Sequence, residues 1–442
     1  MLYSDEFEQG FPTKPFYRVW DLCLICKNKF CRLQIKWKYR MRIFLATCGS
    51  RGDVQPMLAL CLALQSSGHD VMLAGPPEKE AWAKKSGCPY TRLGKDVTAF
   101  IDNLDDAVSF KTGIQFILFV HREIITQFEI LPELIKDADL IIASSLVFAL
   151  SSIAEANSIP YRYIAFTPQL LPSSAHPFPA IQFQRLPKWC NKLSWLMART
   201  GSQFSFTRLI NKDRKKTGLN PIKDAWEHIL GENTIIASDK QIAKIPFDIK
   251  IKTIQTGYMH LELPEKNLPE LDHFIEAGSA PIFAGFGSMP QKDQARNIPL
   301  LVEAARIVKK RIVIAKFWEG FSEFSKEEDV FFIQKYPHLN LFSKMSAVIH
   351  HGGAGTTATC AVCGTPQIIV PHILDQYYHG QQVYVSHLGA KPIWRSRLTL
   401  GKLVSALNDC LYNNTIQQTV KACANSIDRK KNLKLTVRHL TG

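Results

Sequence analysis

The sequence has no run of about 20 predominantly apolar residues, the length that a helix needs to cross a membrane. Its longest uncharged stretch, residues 345–374, is interrupted by glycine, proline and histidine. Hydrophobic residues make up 46% and charged residues 21% of the 442-residue chain, close to the globular average. This composition excludes disorder, collagen-like repeats and coiled coil for most of the chain, and the length predicts two domains.

A metal-binding cysteine pattern is also missing. The 11 cysteines are scattered, and the only close pairs are Cys23 with Cys26 and Cys360 with Cys363. Neither pair has two further ligands at the spacing that zinc requires. We therefore expect free thiols, no metal, and a reducing cytoplasmic location, with peripheral membrane contact as an alternative.

Acidic residues are in the minority, because 54 Lys and Arg stand against 39 Asp and Glu and give a net charge of +15. A basic balance favours anionic partners, which include nucleic acid, phosphorylated small molecules and anionic lipid. No recognised nucleic-acid-binding motif occurs, so nucleic acid is not expected as a partner.

Residues 1–40 differ from the rest of the chain. They begin with an acidic stretch, which is wrong for a secretory signal, and end in a basic stretch with interleaved aromatics. We expect a basic N-terminal extension that is poorly ordered or precedes a natural start at Met41. A membrane-surface anchor is the alternative.

After the extension, short apolar runs alternate with glycine loops and helical patterns. The first run, residues 43–46, precedes a helix predicted over residues 54–67, and a second series of this kind starts near Pro281. Such alternation predicts parallel sheets covered by helices. We expect an N-terminal domain over residues 41–257 and a C-terminal domain over residues 258–442.

The strongest motif is His350-His-Gly-Gly-Ala-Gly-Thr-Thr, which joins a predicted strand to a predicted helix. Backbone N–H groups and the dipole at a helix N-terminus favour negative charge, and glycine lets a phosphate approach the backbone closely. An adjacent imidazole can donate a hydrogen bond to a phosphate oxygen. The segment is not a P-loop, because no Lys-Ser/Thr follows the glycines. It predicts a phosphate site, with a plain strand-to-helix turn as the alternative.

Two other segments carry groups suited to hydroxyl binding and proton transfer. Asp375 and Gln376 offer carboxylate and amide groups that match adjacent sugar hydroxyls. Asp53 ends the loop Cys48-Gly-Ser-Arg-Gly-Asp after the first predicted strand, where open α/β sheets bind ligands. It could accept a proton from a substrate hydroxyl; a helix N-cap is the alternative.

Residues 182–223 interrupt the alternating pattern. They contain ten basic residues and one acidic residue, together with Trp189, Trp195, Phe204 and Phe206. One interpretation is an insertion that receives a substrate or meets a lipid surface. The other is a solvated helical face whose aromatics lie in the core.

Three segments in this order resemble the signatures of nucleotide-sugar (UDP-)glycosyltransferases, in the branch of sterol glucosyltransferases and glycopeptide-antibiotic glycosyltransferases. They are Ala46-Thr-Cys-Gly-Ser-Arg-Gly-Asp-Val-Gln-Pro, Phe286-Gly-Ser-Met, and the stretch from Pro337-His-Leu-Asn-Leu-Phe through the glycine motif to Pro371-His-Ile-Leu-Asp-Gln. The resemblance covers roughly Met41 to the end of the chain. It implies the GT-B fold, an α/β architecture in which two Rossmann-like domains with parallel sheets face an active site in the interdomain cleft.

The resemblance also implies roles for particular residues. His351 would meet the α-phosphate of a nucleotide-sugar, while Asp375 and Gln376 would hold its sugar hydroxyls. The remaining donor contacts would come from Ser288, Gly353, Gly355 and Thr356. Trp318 is not part of this resemblance; it could lie along the nucleotide, with a place in the core as the equal alternative. The loop residues near donor and acceptor would be Gly49, Ser50, Arg51 and Gly52.

Other branches of the family carry a catalytic histidine at the position of Asp53. The sterol and antibiotic branch carries an aspartate there, as this sequence does. The resemblance therefore implies that Asp53 is the general base of a single inverting displacement, with no metal and no cofactor besides the UDP-sugar co-substrate. Two positions depart from the plant-type pattern, Lys335 in place of a tryptophan and Thr359 in place of a ribose-binding glutamate. They leave the nucleobase open, with UDP as first choice and TDP as second.

The sequence thus predicts a hexosyltransferase that moves glucose by default to a hydroxyl of a lipophilic acceptor, such as a sterol, a lipid or a secondary metabolite. Contact with an anionic membrane is a further expectation. The alternatives are a TDP- or UDP-deoxysugar transferase of antibiotic-type biosynthesis, a GT-B sugar-nucleotide epimerase, and a non-catalytic binding module.

Overall fold

The computed structural model describes residues 40–102, 110–263, 268–287, 291–315, 324, 327–334 and 336–442. Three positions discussed above, Ser288, Trp318 and Lys335, lie outside the described residues. The same is true of the predicted N-terminal extension except for Arg40.

The first half of the chain forms a seven-stranded sheet in which every pair of neighbours is parallel. Its strands are β1 Arg42–Cys48, β2 Asp70–Gly75, β3 Tyr90–Arg92, β4 Leu140–Ser145, β5 Tyr161–Ala165, β6 Asn233–Ile236 and β7 Lys252–Gln255. Their spatial order is β3-β2-β1-β4-β5-β6-β7. The helices are α1 Arg51–Ser66, α2 Glu80–Lys85, α3 Val97–Asp102, α4 Phe110–Leu134, α5 Leu150–Ala156, α6 Lys188–Ser202, α7 Arg208–Lys216 and α8 Ala225–Leu230.

The second half forms a five-stranded parallel sheet. Its strands are β8 Ile282–Gly285, β9 Ile312–Ala315, β10 Val330–Ile333, β11 Ala347–His350 and β12 Gln367–Ile369, in the order β10-β9-β8-β11-β12. The helices are α9 Pro269–Glu276, α10 Gln291–Ile307, α11 His338–Phe342, α12 Ala354–Cys363, α13 Gln376–Val385, α14 Leu400–Tyr412, α15 Asn414–Ser426 and α16 Arg429–Thr441. The predicted fold class, two parallel sheets covered by helices, is confirmed.

Both sheets are buried on both faces, which explains why their central strands read as continuous apolar runs. Residues 43–46 of β1 are at most 2% exposed, and separate apolar clusters cover the two faces of the first sheet. In both sheets the order reverses next to the first strand, at β1/β4 and at β8/β11. Ligands in open α/β sheets bind beyond the carboxyl ends of the strands at such reversals.

The last helix returns to the first half of the chain. Leu440 of α16 belongs to the same apolar cluster as Leu58 and Leu64 of α1. The Thr436 hydroxyl donates to the Thr256 hydroxyl at 2.8 Å. The limits 41–257 and 258–442 stay a prediction, and the packing of α16 shows that the final residues contact the first sheet's helices.

Asp239 lies at this return contact and titrates abnormally. Its Oδ1 accepts from Asn432 Nδ2 at 2.8 Å and from the Tyr258 N–H at 3.3 Å, and its side chain is almost fully buried. Burial raises the pKa of Asp239 to about 6, although these two hydrogen bonds oppose the shift. Because the carboxyl has a higher pKa folded than unfolded, its contribution to stability is lost as the pH rises from about 4 through about 6.

We expect Asp239→Asn to raise the free energy of unfolding at pH 7–8 relative to wild type, by up to about 3 kcal/mol, and to change it little near pH 4. Asparagine keeps the accepting Oδ1 and has no proton to lose. Urea denaturation at both pH values measures the effect. Asp409→Asn, at an exposed position of α14, is the control and should show no such pH dependence. An equal effect of Asp239→Asn at both pH values would contradict the assignment.

Candidate active site

The first predicted site loop is tighter than its sequence indicated. Only Gly49 and Ser50 separate β1 from α1, which begins at Arg51 and not near Val54. Ser50 is the N-cap, and Asp53 is the third residue of the helix. The alternative role of Asp53 as the N-cap is therefore wrong, because Ser50 and Asp53 form a reciprocal capping box that starts the helix earlier.

Three hydrogen bonds hold the Asp53 carboxylate. Its Oδ2 accepts from the Ser50 N–H at 2.7 Å and from the Ser50 hydroxyl at 3.1 Å. Its Oδ1 accepts from the Ser145 hydroxyl at 2.7 Å. A carboxylate offers about four acceptor positions, so the group is fixed in orientation and keeps capacity for one more donor.

Ser145 is a site residue that the sequence did not reveal. It ends β4, pairs with Cys48 at the end of β1, and has a φ of +54°, a left-handed conformation that is uncommon outside glycine. The Tyr163 hydroxyl donates to its carbonyl oxygen at 2.8 Å. The residue therefore sits in a strained backbone position that directs its hydroxyl to Asp53.

The charge environment joins Asp53 to the second half of the chain. Burial raises the pKa of Asp53, and the negative charge of Asp375 raises it further, while the bonds from Ser145 and Ser50 oppose the rise. Asp375 is the N-cap of α13, and burial raises its own pKa as well. Two carboxylates, one beyond each sheet, thus face the same space.

Arg51 faces the second half too. Its guanidinium lies over the Trp82 ring, 5.2 Å from the centroid. Desolvation, and then the charge of Arg51, lower the pKa of His338 at the start of α11 to about 4. The predicted loop residues Gly49, Ser50, Arg51 and Gly52 therefore lie at the face between the two sheets, as does Asp53.

The two histidines of the glycine-rich segment have different roles. His350 is fully buried, its Nδ1 accepts from the Gly352 N–H at 3.1 Å, and its Nε2 lies 3.0 Å from Gln367 Oε1. This pattern assigns the proton to Nε2 and makes His350 part of the core. Burial lowers the pKa of His350 to about 3.

His351 is only partly buried and lies beside the start of α12. Its Nδ1 meets no hydrogen-bonding partner within the described residues, and Gly287 and Gly353 lie against its ring. Burial, and then the neighbouring His372, His338 and His379, lower the pKa of His351 to about 3. The imidazole is therefore neutral at pH 7 and can donate one N–H.

The start of α12 presents backbone N–H groups. Gly353 is the N-cap and has no side chain to satisfy the first N–H groups, those of Ala354, Gly355 and Thr356. Gly352 has a φ of +94°, and a Cβ there would lie 2.7 Å from Ile369 Cγ2, so the turn requires glycine. Nδ1 of His379 lies 2.8 Å from the Gly352 carbonyl oxygen and ties the turn to α13.

Tyr258 connects the two halves of the site. Its hydroxyl lies against Gly355, and its ring packs on Phe166 at 6.5 Å between centroids. Burial, and then the charge of Asp53, raise the pKa of the Tyr258 phenol. Asp53 and the start of α12 are thus both neighbours of one buried tyrosine, which the sequence did not single out.

Asp375 and Gln376 differ in what they offer. The Gln376 amide oxygen accepts from the His372 N–H at 2.8 Å and the Ile373 N–H at 3.1 Å and so holds its own loop. Asp375 is only half-buried, and Leu374 before it has a φ of +47°. The Asp375 carboxylate is therefore accessible to a ligand, whereas the Gln376 amide oxygen is bonded within its own loop.

A groove of about 610 Å³ lies between the two halves, alongside α13. Residues 240–247 form one wall, and Tyr378, Gln382 and Ser386 of α13 form the other. The His176 ring lies 5.4 Å from the Tyr378 ring, between centroids. The cleft thus continues along α13 beyond Asp375.

Within the described ranges no group of three or more His, Cys, Asp or Glu side chains could hold a metal ion. The helices of the same ranges include none that is long and apolar enough to cross a membrane. The site therefore has two sides. Beyond the first sheet lies the hydrogen-bonded carboxylate of Asp53. Beyond the second sheet lie the neutral imidazole of His351, the N–H groups at the start of α12 and the carboxylate of Asp375. This arrangement can take a proton from a hydroxyl and hold a phosphorylated ligand.

Two family descriptions match separate parts of the chain. "Glycosyltransferase family 28 N-terminal domain" matches residues 43–175, and "Erythromycin biosynthesis protein CIII-like, C-terminal domain" matches residues 301–429. The first contains Asp53 and Ser145, and the second contains His351 and Asp375.

Curated relatives match over most of the chain. Vancomycin aglycone glucosyltransferase of Amycolatopsis orientalis is 30% identical over 366 residues, which cover 80% of this chain and 88% of the relative. Sterol 3-beta-glucosyltransferase UGT80B1 of Arabidopsis thaliana is 30% identical over 407 residues, 86% of this chain and 65% of the relative. The dTDP-epi-vancosaminyltransferase of Amycolatopsis orientalis is 28% identical and covers 78% of this chain and 83% of the relative.

Solved structures match the fold. The glycosyltransferase VinC in complex with dTDP superposes with a TM-score of 0.67 at 18% identity, over 90% of this chain and 98% of that one. The calicheamicin glycosyltransferase CalG4 superposes with a TM-score of 0.69 at 15% identity, over 91% and 97%. The fold is GT-B, and the chain belongs to the nucleotide-sugar glycosyltransferases, in the branch that holds the glycopeptide-antibiotic glycosyltransferases and the sterol 3-beta-glucosyltransferases.

Proposed function

We propose that this glycosyltransferase inverts the anomeric centre as it moves a hexose, by preference glucose, from a UDP-sugar to a hydroxyl of a lipophilic acceptor. The acceptor class is a sterol, a lipid or a secondary metabolite. Glucose is supported by two relatives whose names specify glucosyl transfer, one to vancomycin aglycone and one to a sterol. Contact with an anionic membrane is proposed separately from this reaction.

The observation that carries the proposal is the Asp53 carboxylate, held on both oxygens and faced by Asp375. Burial and the second carboxylate raise the pKa of Asp53, which strengthens it as a base. The hydrogen bonds from Ser50 and Ser145 oppose that rise and fix the orientation of the carboxylate. A positioned general base contributes typically about 10²–10⁴-fold to the rate.

The proposed step is a single displacement. The acceptor hydroxyl gives its proton to Asp53 while its oxygen forms a bond to the anomeric carbon. The bond from that carbon to the phosphate oxygen breaks, and its electron pair leaves with the nucleoside diphosphate. An α-linked donor then gives a β-linked product.

The leaving diphosphate gains negative charge, which the start of α12 is suited to stabilise. The N–H groups of Gly355 and Thr356 and the positive end of the helix dipole supply fixed positive potential without reorganisation. His351 is neutral and can donate its N–H to an α-phosphate oxygen. Because these groups supply the stabilisation, we propose that no metal is needed.

We propose that the Asp375 carboxylate accepts hydrogen bonds from sugar hydroxyls. The assignment of Gln376 to the same hydroxyls stays a prediction, and its amide oxygen is used within the loop. Gly353 is proposed to keep the turn open for the pyrophosphate, because a Cβ there would lie 2.6 Å from His351 Nε2.

A second candidate is transfer of a deoxysugar from a TDP- or UDP-donor. It is favoured by the relative named dTDP-epi-vancosaminyltransferase and by the complexes of VinC and SsfS6 with thymidine diphosphate. An epimerase of the same fold would consume donor without acceptor.

The decisive measurement is release of UDP from UDP-glucose, with and without sterol, lipid and polyphenol acceptors, followed by the same measurement with TDP-sugars.

We expect Asp53→Asn to lower acceptor-dependent UDP release by at least about 10²-fold, because asparagine cannot take the proton. The change preserves an oxygen that can accept from the Ser50 N–H, so the helix cap should survive. Binding of UDP, measured as a rise in melting temperature, should stay the same. Turnover at the wild-type rate would remove Asp53 from the mechanism.

Ser145→Ala removes a hydrogen bond that lowers the pKa of Asp53, so that pKa should rise. Since the base acts when deprotonated, the acidic limb of the kcat/KM profile should move to higher pH, and activity at pH 6 should fall more than at pH 8. Ser145→Gly is the matched variant, because glycine lacks the hydroxyl and tolerates a φ of +54°. Profiles of both variants that overlay the wild type would exclude a positioning role.

His351→Ala should weaken UDP binding by about 10- to 100-fold, the worth of one hydrogen bond to a charged group. Calorimetric titration with UDP measures the change. His439→Ala, at an exposed position of α16, is the control and should bind UDP as the wild type does. Unchanged affinity in His351→Ala would place the diphosphate elsewhere.

A further inference from the structure

The helix that begins at Lys188 carries an unusual outer face. Helix α6 continues through a π-helical turn, Gln203–Thr207, directly into α7. Its inner side is already occupied, since the Trp195 indole is buried and donates to the His176 carbonyl oxygen at 3.2 Å. The outer side is apolar and exposed: Trp189 67%, Leu193 45%, Leu196 61%, Met197 66% and Phe204 78%.

These side chains form one stripe. Positions 189, 193, 196, 197 and 204 fall on one side of a helix at about 100° per residue. Of the four aromatics that the sequence singled out in residues 182–223, Trp195 is buried and Phe206 packs against a core cluster, whereas Trp189 and Phe204 are exposed. We call this exposed face the α6 stripe.

A second apolar stripe borders the first. The exposed residues of α4 include Ile114, Ile117, Leu118 and Ile125, which share one side of that helix. Between them on the same side lies His121, whose ring contacts Phe206 edge-on at 5.3 Å between centroids. The two stripes thus adjoin at the π-helical turn and form one exposed apolar face, and such a face with polar residues at its edge marks an interaction site.

Basic side chains flank the α6 stripe. Lys188 and Lys192 lie one turn apart beside it, Arg208 follows Phe204 by one turn, and Lys212 follows Arg208. All four are exposed, and none forms an ion pair with an acidic side chain in the described part of the chain. Tryptophan, leucine and phenylalanine on one face with lysine and arginine at its edge is the pattern of a helix that lies in a membrane interface.

We propose that the α6 stripe and the adjoining face of α4 dock on an anionic lipid bilayer. Charge complementarity selects this partner, because these cations, which have no acidic partner in the described part of the chain, would meet anionic headgroups while the apolar side chains enter the acyl boundary. A second copy of the chain is disfavoured, since a two-fold contact through this face would bring the same cations together.

The docking surface is next to the cleft. Trp195, beneath the stripe, bonds to His176, and His176 lines the groove between the two halves. A lipophilic acceptor would then pass from the bilayer to the cleft across about one helix diameter, roughly 10 Å. This link rests on the proposed function, whereas the docking itself does not.

The test is flotation of the purified full chain with vesicles of phosphatidylcholine alone or phosphatidylcholine with phosphatidylglycerol. We expect flotation with the anionic vesicles, weakened by added salt. A variant carrying Trp189→Ser, Met197→Gln and Phe204→Ser should lose at least about tenfold in partition coefficient. A second variant, Lys192→Gln with Arg208→Gln and Lys212→Gln, should lose the preference for anionic vesicles.

The matched control replaces exposed apolar side chains elsewhere, with Ile307→Gln and Tyr412→Ser in the second half. It should float as the wild type does, and all variants should keep the melting temperature and the UDP-induced shift. Absence of wild-type flotation, flotation of the stripe variant like the wild type, or a wild-type dimer that the stripe variant dissociates would each overturn the proposal. Flotation without glucosyl transfer would leave docking standing and refute the proposed reaction.

Discussion

The hydrogen bond from Ser145 to Asp53 joins the end of β4 to the first turn of α1, which follows β1, across 92 residues of the chain. Both strands are buried and parallel, so their carboxyl ends meet at one edge of the sheet, and a carboxylate there loses much of its hydration. The bond offsets part of that cost and fixes the direction of the lone pairs. The capping box with Ser50 completes the same constraint from the side of the helix.

In the second half the electrostatic requirement is the opposite one, stabilisation of a negatively charged ligand, and His351 meets it without a positive charge. Burial, and then the neighbouring histidines, lower the pKa of His351 to about 3. Burial likewise lowers the pKa of His338 and His372 to about 4, so these three imidazoles are neutral at pH 7. Such a site attracts an anion through dipoles and N–H donors, whose strength does not change with pH over the neutral range.

Much of this arrangement was readable from the sequence. The glycine-rich segment, Asp375 and Asp53 follow strands whose apolar runs are plain, and the fold class follows from the alternation of runs and helical patterns. Ser145 was beyond reach, because its value depends on β4 lying beside β1, and a serine at a strand end carries no signal of its own. Tyr258 and the internal use of Gln376 likewise depend on contacts between distant segments. The exposed stripe could be recognised only from the burial of each side chain, because the same sequence pattern places Trp195 in the core and Trp189 at the surface.

The return of α16 to the first half has a practical consequence for domain exchange. The chain leaves the first half near Gly257 and comes back after Ile427, and Asn432 of α16 lies against Gly257. A chimera joined at a single point near residue 257 would place a foreign last helix on the native α1. A transplant of the second half therefore needs two junctions, with residues 258–427 as the transferable piece and α16 kept with its own partner.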